Sequence, residues 1–151
     1  MQTRYKLQAV NGGVYADVQQ DTKARPVNSH RLTIAKWQAV KLFRQAEAQC
    51  MQTFTAYVLE HYACKHKDIA FDSRGALKRI RAAQLRSLGK DCLGQTDGDV
   101  IEISRSIPMR YDEIVCTLLH EALHDWCLVK GRRMACHKEH RCMHILGDPN
   151  E

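Results

Sequence analysis

Hydrophobic and polar residues follow two different patterns along the first half of the chain. Residues 3–20 hold two runs in which apolar and polar positions alternate, separated by Asn11-Gly12-Gly13, and this pattern predicts a β-hairpin. The polar segment 21–29 predicts a loop. From residue 32 to residue 64, apolar residues recur near helical spacing without a proline or a glycine. That period predicts one long helix, or two helices in line.

Shorter patterns fill the middle of the chain. Residues 69–72 predict a short strand, and the basic segment 74–86 predicts either a short helix or an irregular crossover. Residues 85–95 predict a strand that contains glycines, and residues 100–104 are rich in β-forming residues. A turn at 96–99 separates these two strands, so we expect them to pair as a hairpin.

Helical spacing returns in the last third of the chain. The pattern predicts a helix that begins near Pro108 and is stopped by Gly131. The apolar face of this helix consists of Ile114, Val115, Leu118, Leu119, Ala122, Leu123 and Trp126. A final helix is predicted for residues 134–146. Helices and short strands together predict an α+β fold in one compact domain, with a hairpin and linker at 1–31 ahead of the main body at 32–151.

Composition and charge indicate which partners and which cellular location to expect for the chain. The 151 residues carry a net charge of +6, and the pI is near 9.0, which favours nucleic acid or another acidic partner without requiring one. Seven cysteines without a Cys-x-x-Cys pair indicate free thiols. The start of the chain lacks the apolar run of a signal peptide, and no stretch is long enough for a membrane span. We therefore expect an intracellular protein, cytoplasmic or at the nucleoid or nucleus, that is monomeric and not membrane-bound.

The most specific chemical signal is the segment His120-Glu121-Ala122-Leu123-His124. On an α-helix, residues four apart lie on one face, so the two imidazoles can hold a single ion. Glu121 follows the first histidine directly and can reach a water on that ion. Zinc held by two histidines beside a glutamate base is the core of a metalloprotease site. The motif therefore predicts Zn²⁺ as the cofactor, His120 and His124 as ligands, and Glu121 as the catalytic base.

The third metal ligand is not fixed by spacing. A catalytic zinc ion usually has three protein ligands and one position for water. Residue 130, where a metzincin would have its third histidine, is a lysine, so that pattern is absent. Glu139 is the candidate if the site is thermolysin-like. The other candidates on the predicted last helix are His137, His140 and His144.

Three segments together resemble the SprT-like zinc metalloproteases. They are Val100-Ile-Glu-Ile-Ser104, Thr117-Leu-Leu-His-Glu-Ala-Leu-His124 and Cys136-His137-Lys-Glu-His140. The resemblance covers roughly residues 32–147. It implies a small zincin-like domain with a long N-terminal helix, a short antiparallel sheet, an active-site helix and a C-terminal helix that carries the third ligand. It implies His137 as that ligand, with His140 as the alternative, and it implies protein or peptide substrates that include proteins bound to DNA.

Two other functions match parts of the sequence. Lys90-Asp91-Cys92-Leu93-Gly94, upstream of the motif, is similar to a segment of peptide deformylase. In that enzyme a cysteine joins two histidines on the metal, so this alternative predicts Cys92 as a ligand. A non-catalytic adaptor or nucleic-acid-binding protein would instead use a structural zinc site. Its candidate ligands are Cys136, His137, His140 and Cys142, whose close spacing on one predicted helix argues against four ligands converging on one ion.

Overall fold

A computed structural model of the chain describes residues 23–62 and 68–133. These ranges contain three helices and six short strands, so the predicted α+β fold is confirmed. The predicted hairpin at 3–20 and the predicted last helix at 134–146 lie outside the described residues. The boundary between an N-terminal linker and the main body stays a prediction.

The helices follow the apolar periods closely. α1 is one continuous helix, Ser29–His61, and it begins at Asn28, whose side chain accepts a hydrogen bond of 2.8 Å from the Arg31 amide. α2 covers Ser73–Ala82 and confirms the helical alternative for the basic segment. α3 covers Tyr111–His124 and carries the His-Glu-x-x-His motif near its C-terminal end.

The strands are short and form two small sheets. They are β1 (Ile69–Phe71), β2 (Gln84–Arg86), β3 (Gly94–Asp97), β4 (Val100–Ser104), β5 (Cys127–Val129) and β6 (Arg132–Arg133). Among the described residues, one sheet has the order β1-β5-β6 and is antiparallel throughout. The other has the order β2-β4-β3 and packs against α3 through β3 and β4.

β4 is paired on both sides, which differs from the predicted hairpin. β3 is antiparallel to β4, with Gly94 opposite Ile103, and this half of the hairpin is confirmed. The prediction of a single strand over 85–95 is wrong, because β2 pairs with β4 in parallel. The chain crosses from one edge of β4 to the other between β2 and β3. A turn in which the Cys92 amide donates to the Gly89 carbonyl (3.0 Å) interrupts the predicted strand.

The motif helix ends at His124 and not at Gly131, so its predicted C-terminus is also wrong. The chain leaves the helix at Asp125, and the residues that follow form β5, which pairs with β1. Trp126 is fully buried, as its apolar character suggested, but it lies beyond the end of the helix. Gly131 forms the two-residue turn between β5 and β6 together with Lys130, and both have positive φ, 76° and 53°.

Aromatic packing fixes the segment that follows α3. The Trp126 ring lies 5.4 Å from the Phe43 and Phe54 rings and 4.6 Å from the Phe71 ring, measured between centroids. Its Nε1 donates to the Ser73 hydroxyl oxygen at 3.0 Å. Because Trp126 comes two residues after His124, these contacts connect the end of the motif helix to α1, β1 and α2.

Two sequence expectations concern thiols and membranes. In the part of the chain that the structure describes, Cys50, Cys92, Cys116 and Cys127 are thiols that form no disulfide, as predicted. Within residues 23–62 and 68–133, no helix has the length and apolar character needed to cross a membrane.

Candidate metal centre

α3 places its apolar side in the core and carries the motif residues on another side. Leu118 and Leu119 are fully buried, whereas His120 and His124 are half-buried. The helix begins at Arg110, whose amide donates to a Glu113 carboxylate oxygen at 3.1 Å. The two acidic residues of the first turn also complement the positive end of the helix dipole. Local capping and core packing therefore support the helix on which the histidine spacing depends.

The two motif histidines approach each other through their Nε2 atoms. These atoms are 3.1 Å apart, and the two rings are perpendicular with centroids 4.7 Å apart. Two imidazole nitrogens on one tetrahedral zinc ion, each about 2.0–2.1 Å from the metal, lie about 3.3–3.4 Å from each other. The observed separation therefore matches a shared ion after a very small adjustment. The donor chemistry of His120 and His124 fits zinc.

The Glu121 carboxylate completes the group. Only 7% of this residue is exposed, and its Oε2 atom lies 4.0 Å from the His124 Nε2 atom. The Thr96 hydroxyl lies 3.4 Å from the Glu121 carbonyl oxygen and 3.5 Å from Oε1, within reach as a donor to both. Oε1 thus faces β3, and Oε2 faces the side of the histidines. Nothing in the sequence pattern singled out Thr96, because its contact with Glu121 depends on how β3 packs.

Gly94 allows β3 to lie directly against α3. A Cβ atom at this position would be 2.6 Å from the Thr117 Cγ2 atom and 3.1 Å from the Glu102 carbonyl oxygen. Both separations are closer than ordinary van der Waals contact. The absence of a side chain at Gly94 therefore sets the strand–helix distance that brings Thr96, two residues along, to Glu121.

A buried arginine contacts the end of the motif helix from α2. Arg79 is 4% exposed, and its guanidinium donates to the Ala122 carbonyl oxygen at 2.8 Å. Burial lowers the pKa of Arg79, and the nearby Asp125 carboxylate opposes that shift. Ala122 lies between Glu121 and His124, so Arg79 stabilises the helical turn that holds the motif. Arg79 was not predicted as a site residue, because its contact with Ala122 depends on how α2 packs against α3.

The structure brings together three of the predicted site residues. The ligand atoms of His120, Glu121 and His124 all lie within 4.8 Å of one another. Within the described ranges Cys92 does not belong to this group, and its thiol donates to the Gly94 carbonyl at 3.2 Å. This placement gives no support to the deformylase-like ligand set.

The remaining candidate ligands lie outside the described residues. They are Cys136, His137, Glu139, His140, Cys142 and His144. The third ligand to the metal, which the family resemblance assigns to His137, therefore stays a prediction. The same holds for the alternative structural zinc site.

Comparison of the chain with known protein families, with curated proteins and with solved structures gave no match. What the site can bind is thus decided by its donor atoms, which are two imidazole nitrogens and a carboxylate. Imidazole is a good ligand for zinc and for several other first-row transition metals, whereas calcium and magnesium prefer an all-oxygen site. The group is suited to a transition-metal ion.

Proposed function

We propose that this protein is a zinc-dependent metalloendopeptidase of the SprT-like, zincin type. The observation that carries the proposal is the approach of the His120 and His124 Nε2 atoms to 3.1 Å beside a buried carboxylate. Two histidines without a neighbouring base would fit a structural site equally well. Glu121 supplies the base that a hydrolytic site needs.

Each residue has a separate task in the proposed reaction. His120, His124 and, as the third ligand, His137 would hold the zinc ion, which would supply Lewis-acid activation of water and of the scissile carbonyl. Glu121 accepts the proton of the attacking water and later delivers it to the departing amine. The Thr96 hydroxyl lies 3.5 Å from Oε1 of Glu121, on the side of β3, whereas Oε2 lies on the side of the histidines.

The substrate class follows from the family resemblance and from charge. A net charge of +6 favours acidic partners, and SprT-like proteases act on proteins bound to DNA. We therefore propose that proteins associated with DNA are among the substrates. A non-catalytic zinc protein is the main alternative, and its four candidate ligands lie outside the described residues.

The amount of zinc bound per chain in variants of the protein distinguishes the peptidase from the non-catalytic zinc protein. We expect His124→Ala to reduce bound zinc from one ion per chain to nearly none, because it removes one of the converging imidazoles. Zinc is measured by atomic absorption after gel filtration. His30→Ala, which changes an exposed histidine of α1, is the matched control and should keep its zinc.

The alternative predicts the opposite dependence. If the ion is held by the downstream cysteine–histidine cluster, changing Cys136 and Cys142 together to serine would remove the zinc, and His124→Ala would leave it in place. That result would contradict the proposed catalytic site.

A further inference from the structure

A groove lies on the outer side of α1, and none of its residues belongs to the metal centre. Its volume is about 730 Å³. Seven of its lining residues come from the N-terminal half of α1, and Arg81 comes from the end of α2. The α1 residues are Thr33, Lys36, Trp37, Val40, Lys41, Arg44 and Gln45.

Trp37 is the most exposed large hydrophobic residue among those described, with 72% of its surface accessible. The other tryptophan of the chain, Trp126, is fully buried. Exposing an indole to water forgoes a large hydrophobic gain, and tryptophan is enriched at interfaces, where its apolar ring is covered by a partner. Only one other lining residue, Val40, is apolar. The Trp37 ring is therefore a single aromatic platform surrounded mainly by polar and charged side chains.

The charges around this platform are all positive. Lys36, Lys41 and Arg44 lie on α1, and Arg81 completes the set from α2. No acidic residue is present in α1 before Glu47 or anywhere in α2. The groove-lining part of α1 and the whole of α2 therefore present cations without carboxylates of their own to neutralise them.

One of these cations is already partly desolvated. Burial beside the groove lowers the pKa of Lys36. A desolvated ammonium gains more from an adjacent anion than a fully hydrated one does, because less water screens the pair. The positive charges of the groove therefore favour binding of an anionic ligand.

We propose that this groove binds single-stranded nucleic acid, with one base stacked on Trp37 and the phosphates next to Lys36, Lys41, Arg44 and Arg81. Stacking on an exposed aromatic ring between cations is the usual way in which proteins bind single strands without reading their sequence. From Thr33 to Gln45 the groove runs along about 18 Å of helix. At a spacing of about 3.4 Å per base, that length spans about five bases of one strand.

Two other anionic partners fit the groove less well. An acidic peptide would pair with the cations but has no planar base to cover Trp37. An anionic membrane surface would require more buried apolar area than Trp37 and Val40 provide. Both partners therefore serve as competitors in the test.

The test measures binding of a fluorescent oligothymidylate of about 12 nucleotides by polarisation. We expect Trp37→Ala to weaken binding about 5- to 150-fold, the range that stacking of one base accounts for, and Trp37→Phe to weaken it much less. Lys41→Gln should lower the slope of log affinity against log salt by about 0.7, the contribution of one phosphate contact on a single strand. Lys90→Gln, an exposed lysine outside the groove, is the matched control and should leave the slope unchanged.

Three results would overturn the proposal. Trp37→Ala could bind as tightly as the native protein, Lys41→Gln and Lys90→Gln could behave alike, or polyglutamate or phosphatidylserine vesicles could displace the oligonucleotide at equal charge. Because Trp37 and Lys41 are exposed, thermal unfolding of these variants should match that of the native chain. Zinc content is measured on the same samples, so loss of nucleic-acid binding with zinc retained leaves the proposed peptidase unaffected.

Discussion

Arg31 is a buried arginine that joins three segments of the chain. Its guanidinium donates to the Arg25 and Met109 carbonyl oxygens at 2.6 Å each and to the Pro26 carbonyl oxygen at 3.1 Å. It also lies over the Tyr111 ring, 4.9 Å from the centroid. These contacts hold the residues before α1 against the start of α3, and so they support the motif helix at the end opposite the histidines.

We expect Arg31→Met to lower the free energy of unfolding by about 3 kcal/mol, because three carbonyl groups lose a charged donor while the aliphatic stem is kept. Urea denaturation measures this change. Arg44→Met, on the exposed surface of the same helix, should change stability by no more than about 0.5 kcal/mol. Equal effects of the two substitutions would show that the Arg31 contacts contribute little.

Gly94 controls the distance between β3 and α3, and with it the contact between Thr96 and Glu121. We expect Gly94→Ala to cost about 1–3 kcal/mol of stability, since the new methyl group meets the Thr117 side chain and β3 must move. Peptidase activity should fall further than the loss of folded protein explains. Gly89→Ala, where a Cβ would meet no atom within 4 Å, is the control.

A second substitution, at Thr117, should relieve the steric conflict that Gly94→Ala creates. Thr117→Ser removes the methyl group that Gly94→Ala would meet, yet it keeps the hydroxyl that donates to the Glu113 carbonyl oxygen at 2.7 Å. The double variant should therefore be more stable than Gly94→Ala alone. Simple additivity of the two single changes would contradict the steric explanation.

The turn between β5 and β6 holds a lysine in a backbone conformation that lysine disfavours. Lys130 has a φ of 53° and precedes Gly131, which has a φ of 76°. Turns of this kind favour asparagine followed by glycine, because a lysine in the left-handed region is sterically strained. The turn also matters for α3, because β5 follows the motif directly and pairs with β1.

We expect Lys130→Asn to raise the unfolding free energy by about 0.5–1 kcal/mol, since asparagine tolerates the left-handed conformation better. The backbone amide that donates to the Asp68 carbonyl at 2.7 Å is kept. Lys90→Asn makes the same change of charge at another exposed turn and should give no gain. Thermal unfolding distinguishes the two variants, and a loss of stability in Lys130→Asn would count against the assigned turn.

Across the fold, local patterns predicted the helices and strands better than they predicted how these elements pair. The long period of apolar residues predicted α1, and the motif predicted which side chains of α3 would meet. The parallel pairing of β2 with β4 had no local signal, because it joins residues that lie far apart in the chain. The end of α3 was misjudged for a similar reason, since Trp126 continues the helical period but is buried by aromatic rings from other elements.

The residues of the candidate site also fall into two groups, those that the sequence predicted and those that it did not. His120, Glu121 and His124 could be named from the sequence because a helix brings residues four apart onto one face. Thr96 and Arg79 could not, since β3 and α2 reach α3 only through the tertiary fold. Prediction from a pattern therefore found the groups proposed to bind and react, and missed those that hold them in position.

We propose that Glu121 acts as a base beside a zinc ion held by His120 and His124. The most direct test is Glu121→Gln, with bound zinc and peptide hydrolysis measured on the same preparation. We predict that zinc stays near one ion per chain, because the histidines are unchanged, while hydrolysis of a DNA-associated protein falls by about 10²–10⁴-fold. Native rates of hydrolysis in Glu121→Gln with zinc bound would show that Glu121 is not the base.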